Sequence, residues 1–208
     1  MNINRFILGM LSTNCYIISN PTTKEAIIVD PADDAKTIAD FLQNEEMTLV
    51  GILLTHGHID HINAAKELAI NYKTKIYAGT DEKVLLEDPQ TNLSIMIAGK
   101  AYTLTPDVLL KDGEVFDLAG FPIEVIHTPG HTCGGVCYLF REYDILVSGD
   151  TLFQESVGRS DFPTGNSTIL NDSIKKRLLV LEDNITVLPG HGDTTTIGHE
   201  KQYNGYIV

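Results

Sequence analysis

The chain has 208 residues, 43% of them apolar and 21% charged, the composition of an ordinary globular protein. Its apolar runs are short, residues 49–54 being typical, and fall far below the roughly 20 residues a membrane span needs. That excludes a membrane-spanning protein. With 15 basic against 28 acidic residues the net charge is −13. Such a surface repels phosphate backbones and anionic lipid, so neither a nucleic-acid nor a membrane partner is expected.

Residues 1–11 carry one Arg and a short apolar stretch but no small-residue cleavage site, and read as a first strand rather than a signal peptide. Strand-like, β-branched runs follow at residues 16–18 and 26–29. Asp34 is placed to cap a helix with Ile38, Phe41 and Leu42 on one face. After a strand at 49–54, a second helix is expected over 61–72, with Ile62, Ala65, Leu68, Ala69 and Tyr72 recurring at three- and four-residue steps. A strand at 75–77 leads to a third helix over 81–86, and strands are expected at 123–126, 136–140 and 145–147. Ser167 is expected to cap a fourth helix with Leu170, Ile174, Leu178 and Leu181 as its stripe, before a last strand at 185–188. No linker, repeat or low-complexity segment divides the chain, so residues 1–208 read as one domain of α+β or layered α/β class. Three cysteines, Cys15, Cys133 and Cys137, are an odd number without zinc-like pairing. They fit a reducing compartment, so a cytoplasmic location is expected, and Cys133 is read as an inert buried thiol.

Four of the strand-like runs end in a short loop rich in Gly, His or Asp, and loops at strand exits are where sites are usually built. They are Thr55-His56-Gly57-His58-Ile59-Asp60-His61, Pro129-Gly130-His131, Ser148-Gly149-Asp150 and Pro189-Gly190-His191-Gly192. The first is the strongest signal. Asp60 alone would be an ordinary helix cap, but a cap needs no histidines and this turn has three. His131, His191 and Asp150 are each weak alone. Together the set holds five histidines and two aspartates, too many for one zinc, which takes three or four protein ligands. Seven ligands suit two divalent ions that share a carboxylate and a water, with a net site charge of about +1 that would accept an anionic substrate. Nitrogen and oxygen donors admit zinc foremost, with iron or manganese possible. His127 and His199 read as structural, and no Gly-x-Ser-x-Gly elbow supplies a serine nucleophile.

In that order, Thr55-His56-x-His58-x-Asp60-His61, Gly130-His131-Thr132, Gly149-Asp150-Thr151 and Pro189-Gly190-His191-Gly192 resemble the metallo-β-lactamase superfamily. More closely they resemble its small bacterial glyoxalase II-like hydrolases, which Thr13-Asn14-Cys15-Tyr16, Asp30-Pro31, Leu152-Phe153 and Gly198-His199-Glu200 also match. The resemblance implies a four-layer αββα sandwich with the metals at one edge of the two sheets. It implies one metal on His56, His58 and His131, a second on Asp60, His61 and His191, and Asp150 bridging them. Asp60 and Asp150 are then the carboxylates expected to serve catalysis directly. Glyoxalase II continues past its last metal histidine into a helical glutathione-binding domain, and only 16 residues follow Gly192 here, so that domain is not expected. Arg159 falls where glyoxalase II has a basic glutathione contact and reads as a substrate contact or a salt bridge. Phe153 reads as a pocket wall or as core, and Asp30 as a support for a metal-binding histidine or as a plain turn residue.

The function this implies is a binuclear metallohydrolase cleaving a thioester such as S-lactoylglutathione, an anionic small molecule, by attack of a metal-bridging hydroxide. An alternative on the same fold is a persulfide dioxygenase with a single iron on His56, His131 and Asp150. A third is a metal-binding module without activity. A fold of this size that closes on itself is expected to be a monomer.

Overall fold

The computed structural model describes residues 1–207, and the strand-like, β-branched runs of the sequence lie in two six-stranded sheets. In the first sheet β1 (Asn2–Leu8), β2 (Thr13–Ser19) and β3 (Glu25–Val29) pair antiparallel, with Tyr16 opposite Val29 and Ile18 opposite Ile27. Three more strands, β4 (Thr48–Leu53), β5 (Ile76–Gly79) and β6 (Val108–Leu110), add in parallel. Parallel neighbours need crossovers, and these carry α1 (Ala35–Asn44), α2 (Ile59–Ile62), α3 (Ala65–Tyr72), α4 (Lys83–Leu86) and α5 (Ser94–Ala98).

The second sheet runs through β7 (Val115–Leu118), β8 (Phe121–His127), β9 (Val136–Phe140) and β10 (Ile145–Gly149), all antiparallel. A small hairpin, β11 (Leu152–Phe153) with β12 (Ser156–Val157), follows β10. Then α6 (Ser167–Ser173) runs into a π-helical turn, Ile174–Leu178. Strand β13 (Thr186–Pro189) lies parallel to β10, and β14 (Thr195–Thr196) and α7 (Ile197–Tyr203) end the described chain.

The central strands of each sheet are buried on both faces, so they are apolar on both sides and alternate between cores, while the edge strands β1 and β7 stay partly exposed. Cys15 and Ile17 pack with Ile38, Leu42 and Leu68 of α1 and α3. Tyr16 and Ile18 turn the other way and meet Phe121, Tyr138 and Phe140 of the second sheet. Cys137, Leu139 and Leu146 face outward from that sheet onto Leu170, Ile174 and Leu178. The result is helix, sheet, sheet, helix, the four-layer sandwich expected from the resemblance.

Two local expectations are corrected. The helix over 61–72 is two pieces: α2 begins at Ile59, the chain turns at Asn63 and Ala64, and α3 starts at Ala65. The Ala64 N–H donates to the Pro31 carbonyl at 3.0 Å instead of continuing the helical ladder, and a tertiary bond of that kind leaves no mark in periodicity. The fourth helix is capped by Asn166 and not Ser167, since the extended Asn166 accepts from the Ile169 N–H through Oδ1 at 3.1 Å. Asp34 caps α1 as expected, accepting from the Thr37 N–H at 3.1 Å. Helices α5 and α7 and strands β6 and β7 have no counterpart among the expected elements. Among the described residues no helix is long and apolar enough to cross a membrane.

Candidate metal centre

The four Gly/His/Asp loops leave their strands at one end of the sandwich. The exit of β4 supplies His56, His58, Asp60 and His61, while β8, β10 and β13 in the other sheet lead to His131, Asp150 and His191. Two glycines let the sheet ends close. Gly149 has φ +49°, and a Cβ on it would collide with the Thr55 side chain. A Cβ on Gly190 would collide with Asp150 Oδ1, so any side chain there would push into the ligand cluster.

All seven expected ligands converge. His58 Nδ1 lies 2.9 Å and His56 Nε2 3.2 Å from His131 Nε2. In the second group His61 Nε2 is 3.3 Å from His191 Nε2, and Asp60 Oδ2 is 3.5 and 3.4 Å from those two nitrogens. Asp150 reaches both groups, Oδ2 standing 3.6 Å from His131 Nε2 and 3.5 Å from His191 Nε2, and Oδ1 3.4 Å from His61 Nε2. Ligands about 2.1 Å from an ion at tetrahedral angles stand about 3.4 Å apart, so the spacing is that of donors around a cation. Asp150 Oδ1 is moreover buried without a hydrogen-bond partner among the described residues, an acceptor that a cation would satisfy. The donor set fits two ions.

A further group, Asp30 with His56 and His61, is also compact enough to hold an ion. The Asp30 oxygens are already used, however. Oδ1 accepts from the Thr55 N–H at 2.8 Å, and Oδ2 accepts from Thr55 Oγ1 at 2.6 Å and faces His61 Nδ1 at 2.9 Å. Asp30 therefore orients His61 so that Nε2 points inward, the supporting geometry weighed from sequence. His131 is fixed in the same way, because the Arg159 carbonyl, 2.6 Å from Nδ1, can only accept and leaves Nε2 with its lone pair inward. Thr13 Oγ1 donates to Asp60 Oδ2 at 3.1 Å. Asn14 Nδ2 donates to the carbonyls of Pro189 and Gly192, both at 2.9 Å, and so clasps the His191 loop.

One residue of this arrangement was not singled out from sequence. Glu82 is fully buried beneath the site, accepting from the Gly57 N–H at 2.8 Å and from Thr132 Oγ1 and the Gly134 N–H at 2.9 Å. It ties the loop of His56 and His58 to the loop of His131. Burial pushes its carboxyl up to about 7 against those three donors. Its only sequence signal is a charged residue between two apolar stretches, which a solvated helix face shares.

Electrostatics separate the two histidine groups. Burial, reinforced by the neighbouring imidazoles, lowers His56 and His58, and burial outweighs the Asp150 carboxylate to lower His131, so all three keep free lone pairs. For His61 burial acts downward, but the carboxylates of Asp150, Asp60 and Asp30 outweigh it and hold it up at about 10. His191 is raised despite burial by Asp60 and Asp150. Asp60 stays below the usual carboxylate range, since His61, His191 and His58 overcome its burial. The carboxylates thus stabilise positive charge on the side of the cluster that holds His61 and His191.

Above it opens a cavity of about 520 Å³ whose walls include Phe153 and Arg159. Phe153 is thus a wall, 6.2 Å from the His191 ring, and not core. The Arg159 guanidinium is bidentate to Asp161 at 2.7 Å and lies 3.8 Å from the centroid of Phe162. Cys133 corrects the expectation of a buried thiol: it is partly exposed, although Thr132 and Gly134 on either side of it are buried. His127 Nε2 bonds the Cys133 carbonyl and His199 Nε2 bonds Glu155, structural roles as expected.

Comparison with known proteins agrees with this geometry. The family model described as the metallo-beta-lactamase superfamily matches residues 8–191. The hydroxyacylglutathione hydrolase GloC of Haemophilus influenzae is 34% identical over 100% of this chain and 98% of its own. Among solved structures, the BLEG-1 B3 metallo-beta-lactamase superposes with TM-score 0.94 at 38% identity over 99% of both chains. TTHA1623, solved in a di-iron-bound form, gives TM-score 0.86 at 32% identity over 98% of this chain and 99% of its own. Motifs, four-layer fold and convergent ligands together make the chain a member of the metallo-beta-lactamase superfamily.

Proposed function

We propose that this protein is a two-metal hydrolase of thioesters of the S-acylglutathione kind. The reading is carried by one observation, the meeting of two three-residue ligand groups at the shared carboxylate of Asp150. His56, His58 and His131 would hold one ion and Asp60, His61 and His191 the other, with Asp150 placed between the two groups. Ions bound there would supply an activated water at neutral pH and polarise the acyl carbonyl.

The chain's own groups do the rest. Asp30 and the Arg159 carbonyl keep His61 and His131 facing inward. Asp60, steadied by Thr13 and held ionised by its histidine neighbours, would orient the attacking water together with Asp150 by accepting its hydrogen bonds. Phe153 and Phe162 close the sides of the cavity and shield the reacting carbonyl from bulk water. The thioester chemistry is supported by the likeness to GloC, and the likeness to BLEG-1 makes a β-lactam the natural competing substrate.

The test is hydrolysis of S-lactoylglutathione and of a penicillin by the metal-loaded protein, with and without chelator. Chelator-sensitive thioester cleavage with kcat/KM above about 10⁴ M⁻¹s⁻¹ is the expected result. Opening of the penicillin without thioester cleavage overturns the reading. So does oxygen uptake with glutathione persulfide as the one activity found, which is the outcome expected of a single iron on His56, His131 and Asp150.

A further inference from the structure

The cavity over the ligands is walled by three separate elements. The turn between β1 and β2 brings Leu11, α5 brings Met96 and Ile97, and the segment from β11 onward brings Phe153, Val157 and Phe162. Leu11 is 47% and Met96 62% exposed, and Met10 beside Leu11 is 82% exposed. Apolar side chains scattered singly over a surface mean nothing, but these crowd one concave mouth, and an apolar patch there is a contact surface in waiting.

Charge points the same way. Beyond the ligand cluster itself, Arg159 is the one lysine or arginine among the described residues that line the cavity, and its guanidinium is already bidentate to Asp161 and stacked on Phe162. The adjoining cleft past Met10 and Ile97 adds Asp33 and no cation. A carrier such as glutathione, with two carboxylates, would find one guanidinium that has its partner and an acidic neighbour. An aliphatic or aromatic acyl chain would find three apolar walls.

We infer that the acyl half of the substrate is apolar, a thioester of an aliphatic or aromatic carboxylic acid whose thiol carrier the site reads weakly. This rests on the thioester reading above and narrows it. In the reaction water adds to the acyl carbon, the C–S bond breaks as the new C–O bond forms, and a proton from water ends on the thiol. Carboxylic acid and thiol leave, with no change of oxidation state.

The experiment uses the zinc-loaded protein and a series of acetyl, butanoyl, hexanoyl and lactoyl thioesters of N-acetylcysteamine, each also made on glutathione, with thiol release as the readout. Full burial would raise kcat/KM about fourfold per methylene. Partial burial is expected here, so hexanoyl should exceed acetyl by at least about tenfold, and the two thiols should differ by less than about threefold. Met96→Ser and Phe153→Ser should each lower the hexanoyl-to-acetyl ratio. If thioesters are cleaved but lactoyl or acetyl is as good as hexanoyl, or glutathione improves kcat/KM tenfold or more, the inference fails and the thioesterase reading stands. If no thioester is cleaved, that reading fails, and calorimetry of hexanoate against acetate decides the cavity: equal affinities overturn the apolar site, tighter hexanoate keeps it.

Discussion

Asp150 stands where the two candidate ligand groups meet, and its Oδ1 is buried without a hydrogen-bond partner among the described residues. Asp150→Ala should therefore lower metal content from two ions to one or none and reduce kcat by at least about 10³. A variant that keeps both ions, by elemental analysis, and most of its activity would overturn the bridging role. Asp30 is a finer case, because it touches no reacting atom. It holds His61 through Nδ1 and Thr55 through two bonds. Removing such a support costs about 10–100-fold in metal affinity, so Asp30→Ala should weaken binding of one ion by that factor in a chelator competition, with the other unchanged. The seven converging side chains were legible from sequence because metal chemistry restricts candidate ligands to His and Asp in four short loops. Asp30 was legible only as an alternative, and Glu82 not at all, because a buried carboxylate and a solvated one are the same letter.

At the scale of elements, the turn Thr80–Glu82 and α4 form a strap under both histidine loops, with Gly57 against Leu85 and Leu86 and Gly134 against Glu82. Glu82 makes the strap pH-sensitive. Its carboxyl is raised from 4.5 to about 7, so between those values the folded chain holds a proton that the unfolded chain has lost. The stability it contributes is fully present below pH 4.5 and is lost as the pH rises through about 7. Glu82→Gln removes that titration. Between pH 5 and 8 the melting temperature of the parent should fall relative to the variant by about 5 °C, and parallel curves would refute the assignment. The strap's helix was expected from sequence over 81–86, opening after Thr80. Helix α5, which walls the cavity, was not. Its five residues sit between left-handed Leu93 (φ 64°) and Gly99 (φ 68°), too few to show a period.

At the scale of the whole molecule the candidate centre is a clasp between sheets. The exit of β4 supplies four of its side chains and the second sheet the other three. Cations bound there join the two halves in the folded state and have no comparable site in the unfolded chain. At 100 times its dissociation constant a ligand adds about 2.7 kcal/mol, which for a chain of this length moves the melting temperature by about 5–10 °C. Chelation should remove that increment, and scanning fluorimetry that finds the same midpoint with and without chelator would argue against a site of this kind.

The sequence by itself determined which side chains could bind metal, which runs are strands buried on both faces, and which family the chain resembles. All three are written in local chemistry: residue type, unbroken β-branched apolar runs, and short motifs at strand exits. Only the tertiary structure decided how those pieces act together. It broke the helix at Ala64 by giving its N–H to Pro31, set Glu82 between two loops, and turned Phe153 to the cavity while Arg159 paired with Asp161. Each of these depends on groups far apart along the chain, or on a choice between partners, and only the packed fold brings such groups to hydrogen-bond distance.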